Sequence, residues 1–184
     1  AKSLQLHLQS LKMSEEVNDT LRIVTSLTNI GSIYLNKPAT YKKAIDNFSR
    51  AYSLSQIIND QYLIGTSAVN LGEIYYKMND DSTAMKYLLV ARKAYDDTED
   101  LPYALNYMGR VFIRQKEYDK AIKIHEEALG IAKKLDTKLD MTQSLVGLAQ
   151  AYLAKGDLQG SIAKFKEAVE VGRELKATTE VKDA

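Results

Sequence analysis

One pattern recurs four times in this chain and leaves little freedom in how it can fold. An apolar residue precedes a small one at Ile30-Gly31, Leu71-Gly72, Met108-Gly109 and Leu148-Ala149. An aromatic residue follows each small one by three: Tyr34, Tyr75, Phe112 and Tyr152. The next segment brings Ala44, Ala84, Ala121 and Ser161, and then Ala51, Ala91, Ala128 and Ala168 seven residues further on. Phe48, Leu88, His125 and Phe165 stand between these pairs. Successive anchors are 41, 37 and 40 residues apart, counted from Gly31 to Gly72, Gly109 and Ala149.

The copy from Tyr103 to Leu129 shows what the pattern demands. Leu105, Met108 and Phe112 fall on one face of a helix, with Gly109 among them. A glycine inside a helix costs about 1 kcal/mol relative to alanine. Close approach by a neighbouring helix, where no larger side chain fits, is the compensation the spacing predicts. Ala121, Ile122, Ala128 and Leu129 form the stripe of a second helix, and the polar link Gln115-Lys116-Glu117 is short enough to make the two antiparallel neighbours. Such a hairpin leaves its flanks apolar, and another hairpin must cover them.

These residues resemble the tetratricopeptide repeat, a helical hairpin with a small residue in its first helix, an aromatic three later and two alanines in its second. The segment EYDKAIKIHEEAL, with Tyr118 and Ala121, is its best copy. The common repeat has about 34 residues; these are longer, and the family's tryptophan is missing. The longer period is similar to the subclass found in kinesin light chains and in Rap-type bacterial regulators. The resemblance implies an all-α, right-handed superhelical solenoid and a protein-interaction role.

Read in order as a single array over 1–184, residues 1–16 align as a lone second helix, with Ser3, His7 and Ser10 in the register of Ala44, Phe48 and Ala51. Full repeats are expected over 20–58, 61–95, 101–135 and 139–175. Residues 178–184 look like the start of a further first helix. Pro38 falls in a turn, Asn79-Asp80-Asp81 forms a turn and cap, Asp96–Asp100 is an acidic connector, Pro102 opens a helix, and Gly156-Asp157 gives stop and start signals. Both ends read as cut from a longer array. Left uncovered, this lone second helix would expose Leu4, Leu8 and Leu11, which predicts self-association through that end.

Composition excludes several functions. With 25 basic and 24 acidic residues, nothing drives the chain as a whole toward nucleic acid or anionic membrane. Cysteine is absent, and no apolar run approaches the 18 or so residues needed to span a bilayer. The compartment stays open between cytoplasm and periplasm. His7 and His125 are the only histidines, and their register makes them packing residues, too few for a conventional zinc site. The acidic connector lacks the glycine and terminal glutamate of a calcium loop. No phosphate loop, dinucleotide fingerprint or nucleophile elbow occurs. The expectation is a non-enzymatic module with no metal or cofactor.

In the family, first helices line the concave side of the stack. Carried over by register, that side takes Thr25, Thr28, Asn29, Ser32 and Asn36; then Thr66, Asn70, Glu73, Tyr76 and Lys77; then Tyr103, Asn106, Tyr107, Arg110 and Arg114; and finally Gln143, Val146, Gln150 and Leu153. Carboxamides offer donor and acceptor together and can grip a peptide backbone whatever its sequence. Arg110 and Arg114 are one helical turn apart and can hold a carboxylate. Tyrosines offer contact area that is cheap to order. The expected ligand is an extended acidic or C-terminal peptide segment. The expected setting is the sensor or scaffold region of a larger bacterial signalling protein. A plain assembly scaffold and a Rap-like regulatory phosphatase or sensor are the alternatives.

Overall fold

The computed structural model describes residues 2–96 and 98–182, the side chains of 177–182 excepted. Among the described residues the chain is all-α. Helices α1 (Lys2–Glu16), α2 (Thr20–Tyr34), α3 (Tyr41–Ile57), α4 (Gln61–Lys77) and α5 (Asp81–Ala94) precede the connector. Helices α6 (Leu101–Arg114), α7 (Tyr118–Lys134), α8 (Lys138–Lys155) and α9 (Leu158–Lys182) follow it. The chain divides into two compact units, residues 1–95 and 96–184. In the first, α2 pairs with α3 and α4 with α5, while α1 packs on α2 and α3 on α4. In the second, α6 pairs with α7 and α8 with α9, while α7 also packs on α8.

The recurring small residues explain the pairing. All four first-position residues, Ala44, Ala84, Ala121 and Ser161, are buried, as are Ala51, Ala91, Ala128 and Ala168. The glycine anchors lie where second-helix side chains press hardest. A Cβ on Gly31 would come within 2.5 Å of the Phe48 ring, and one on Gly72 within 2.7 Å of Leu88. One on Gly109 would come within 2.3 Å of His125. The close approach expected from the spacing is present at each glycine anchor. The aromatic residues Tyr34, Tyr75, Phe112 and Tyr152 are half-buried along the hairpin edges.

Local chemistry sets the helix ends. The carboxylates of Asp19, Asp60 and Asp80 accept from the backbone N–H groups of Arg22, Leu63 and Thr83, capping α2, α4 and α5. Pro102 sits in the first turn of α6, and Gly156 ends α8 in the left-handed conformation at φ 95°. Asn18, Asn59, Asn79, Lys116 and Asp136 take positive φ in the other turns. Asparagine and aspartate tolerate that region; lysine at φ 64° is the exception.

The final helix differs from expectation. No turn separates the fourth hairpin from a further helix, because α9 continues unbroken to Lys182. The expected break falls at residues 176–177, where the sequence supplies neither glycine nor proline to stop the helix. Residues 183–184 lie outside the described residues, as does Asp97 of the acidic connector.

Candidate functional site

Each unit presents its own first-helix face. In the first unit, Ser32 and Asn36 on α2 are exposed, as is Asn29. Two of these three bond inward to their own helix. Ser32 donates to the Thr28 carbonyl, and Asn36 to that of Ser32. On α4, Thr66 Oγ1 donates to the Tyr62 carbonyl and accepts the Tyr95 hydroxyl at 3.0 Å. Asn70 donates its amide to the Thr66 carbonyl at 2.8 Å, which leaves its carbonyl oxygen for other donors. Tyr76 is half-buried, and Lys77 is exposed and paired with Glu73 at 2.8 Å.

In the second unit, α6 and α8 share a face. Along α6, the Tyr103 and Tyr107 rings meet edge to face with centroids 5.2 Å apart. The Arg110 guanidinium lies 4.8 Å from the Tyr107 ring centroid. That stacking orients a half-buried arginine that has no carboxylate partner among the described residues. Arg114, one turn on, and Gln143 are half-buried; Gln150 is exposed.

Three expected site residues are not on the surface. Asn106 is 1% exposed and faces α7, where its Oδ1 accepts from His125 Nδ1 at 2.9 Å. Glu73, beside Gly72, is buried and pairs with Lys77. Tyr107 is buried, with Tyr103 and Arg110 packed against its ring. The residue two before each anchor therefore changes character along the chain. Asn29 is exposed, Asn70 half-buried, and Tyr107 and Gly147 buried.

His125 has a more specific position than its register alone predicts. It is fully buried, and its ring is pressed between Gly109 of α6 and Gly147 of α8; a Cβ on either would come within 2.3 Å. Its Nε2 and the Asn106 Nδ2 make no hydrogen bond within the protein. Burial, and secondarily the Arg110 charge, lower its pKa from the usual 6.5 to about 4. The imidazole is therefore neutral at physiological pH and serves packing, as its register indicates. Gly147 signals this slot in the sequence, two residues before Ala149, where the other copies carry larger residues. Tyr62 is a surface residue that the register missed: it is exposed and lies against Tyr95, with ring centroids 6.1 Å apart.

Apolar side chains also reach solvent on α1. Leu8 is exposed and Leu4 half-buried, while Leu11 packs on the cluster of Ile23, Val24, Leu27 and Ala51. Among the described residues no group of three or more His, Cys, Asp or Glu is placed to hold a metal ion. Nor is any helix among them long and apolar enough to cross a membrane.

Antiparallel helix pairs, a small residue at each crossing and a ring three residues on define a protein built of helical-hairpin repeats. Tetratricopeptide repeat models match residues 67–98 and 100–174, and the chain belongs to the tetratricopeptide repeat family. Solved structures with the same fold include BtubC (BKLC) from P. vanneervenii, with TM-score 0.67 and 16% identity over 95% of this chain and 91% of that one. Aspartyl phosphate phosphatase F from Bacillus subtilis has TM-score 0.71 and 20% identity over 91% of this chain and 45% of that one. In sequence, the chain is 37% identical over 84 residues to the RxLR effector protein SFI4 of Phytophthora infestans. That stretch is 41% of this chain and 25% of that protein. It is 36% identical over 64 residues to the secreted RxLR effector protein RXLR-C07 of Plasmopara halstedii, covering 34% and 20% respectively. The match thus spans a quarter or less of each relative. The repeats make the chain a protein-interaction module.

Proposed function

We propose that the chain recognises an extended peptide segment, through the first-helix face of each unit, and performs no catalysis. The observation that carries this reading is Arg110, stacked on Tyr107 beside Tyr103 without a carboxylate partner among the described residues. A guanidinium oriented before binding loses little freedom when it takes a ligand carboxylate. Arg114, Gln143 and Gln150 extend that face. In the first unit, the exposed Asn29 amide, the Asn70 carbonyl and Tyr76 supply backbone-directed contacts, with Ser32, Asn36, Thr66 and Lys77 around them. Asn106, Glu73 and Tyr107 leave the list of direct contacts; Tyr107 acts by holding Arg110.

The setting we favour is recognition within an effector protein like the two sequence relatives, rather than within a bacterial regulator. Identity of 37% over 84 residues supports that choice, whereas the likeness to the bacterial phosphatase is one of fold. The test is selection from a displayed peptide library with the full chain, beside a folded Asn29→Ala, Asn70→Ala, Arg110→Ala variant. The reading expects peptides rich in acidic residues or free C-termini that the variant loses. Peptides retained equally by both proteins would overturn it.

A further inference from the structure

The face shared by α6 and α8 carries unpaired charge of opposite sign at its two ends. Arg110 stands one residue after its anchor glycine and has no carboxylate partner among the described residues. Asp100 and Asp140 stand nine residues before their anchors, Gly109 and Ala149, where α6 and α8 begin. Both are half-buried. Among the described residues neither is held in an ion pair, and Asp100 makes no capping hydrogen bond to α6. Tyr103 and Gln143 follow the two aspartates by three, so helical spacing sets both aspartates on the same face. Ten residues separate Asp100 from Arg110, about 15 Å along the helix. That exceeds the screening length of about 8 Å at physiological salt, so neither end neutralises the other.

A carboxylate at the start of a helix is ordinarily favourable. Asp140 runs against that rule. Burial foremost raises its pKa, a hydrogen bond with Thr137 opposes the rise, and the Asp100 charge adds to it. The two carboxylates thus repel each other while partly withdrawn from water, a cost that a cation beside them would relieve. Helix capping accounts for one acid on each helix, but not for an oriented, unpaired guanidinium at the far end of the same face. The pattern is particular to this unit. In the first unit the positions nine before the anchor hold Arg22 and Leu63, and those one after it hold Ser32 and Glu73.

We infer that this face reads its peptide in one direction, with a C-terminal carboxylate at Arg110 and a lysine or arginine side chain at Asp100 and Asp140. The inference deepens the peptide-recognition reading and rests on it. An extended chain rises about 3.3 Å per residue, so a span of about 15 Å sets the cationic residue about four or five positions before the C-terminal one. The peptide then runs parallel to α6. Opposite charges at the two ends fix its direction, and a like charge at either end is rejected.

The test is chemical-shift titration of the full chain with short acetylated alanine–serine peptides. Each ends in a free carboxylate and carries one lysine, moved position by position. Binding should be tightest with the lysine about four or five residues before the C-terminus, by about fivefold over a lysine next to it. The double variant Asp100→Asn, Asp140→Asn should lose that preference but keep the loss of affinity on C-terminal amidation, with its circular dichroism spectrum unchanged. Asp140→Lys in the Asp100→Asn background should favour glutamate over lysine at the same peptide position, an inversion that a purely structural aspartate does not produce. Affinity that needs the carboxylate but ignores the place of the lysine would overturn this inference and leave the peptide reading standing. So would a preference retained by the double variant. Binding that is absent, or indifferent to amidation, would overturn both.

Discussion

Acidification should destabilise the second unit through His125 before most carboxylates are protonated. In the native state the imidazole is closed between Gly109 and Gly147 and remains neutral down to about pH 4. The unfolded chain takes up its proton near the usual 6.5. Between these values the unfolded state binds more protons than the native state, so stability falls as pH falls. The loss begins near pH 6.5, proceeds at up to about 1.4 kcal/mol per pH unit, and levels off below about pH 4. Over the whole window it amounts to about 3 kcal/mol from this one residue. The assay is urea unfolding of the full chain followed by far-UV circular dichroism at several pH values. His125→Leu, the residue that Leu88 places in this register, serves as the comparison. The variant is less stable at neutral pH, because it leaves the Asn106 amide wholly unpaired, but its stability should change much less between about pH 6.5 and 4. Parallel pH profiles for the two proteins would show that the imidazole is hydrated or charged in the native state, and would refute the packing described.

Three further outcomes follow from backbone and packing. Gly109→Ala places a methyl within 2.3 Å of His125 and should cost about 1–3 kcal/mol, read as a shift in the unfolding midpoint. Gly130→Ala, on an exposed face of α7 with nothing within 4 Å, should instead stabilise by about 0.5–1 kcal/mol in the same experiment. Lys116→Gly relieves a lysine held at φ 64° and should raise the melting temperature, corresponding to a gain of up to about 1 kcal/mol. A melting temperature unchanged or lowered by that last substitution would show that the turn tolerates lysine without strain.

The hairpins were legible because their determinants are local. Helical spacing and paired alanines mark which faces meet, and a glycine in an apolar stripe marks where backbones approach. The same logic places His125 in the core by its alignment with Phe48. The surface was less legible, because exposure depends on the neighbouring helix as well as on the residue's own. Asn106 reads as a polar surface residue from its own helix, yet its partner His125 stands 19 positions later on α7. Asn29 and Asn70 share a register, but Asn70 is half-buried and turns its amide back onto α4. The unbroken α9 escapes the pattern because periodicity marks where a helix repeats, whereas its termination needs a stop signal, and neither glycine nor proline stands at residues 176–177.

Peptide recognition by the first-helix faces is tested most directly by measuring affinity for acidic peptides offered in two forms, with a free C-terminal carboxylate and as the amide. The wild-type chain is compared with Arg110→Ala at neutral pH, after circular dichroism confirms equal helicity. Wild type should prefer the carboxylate form, and Arg110→Ala should lose about tenfold or more on that form, roughly 1.4 kcal/mol, with little change on the amide. Equal binding of both forms by both proteins would place recognition away from the Tyr107–Arg110 stack.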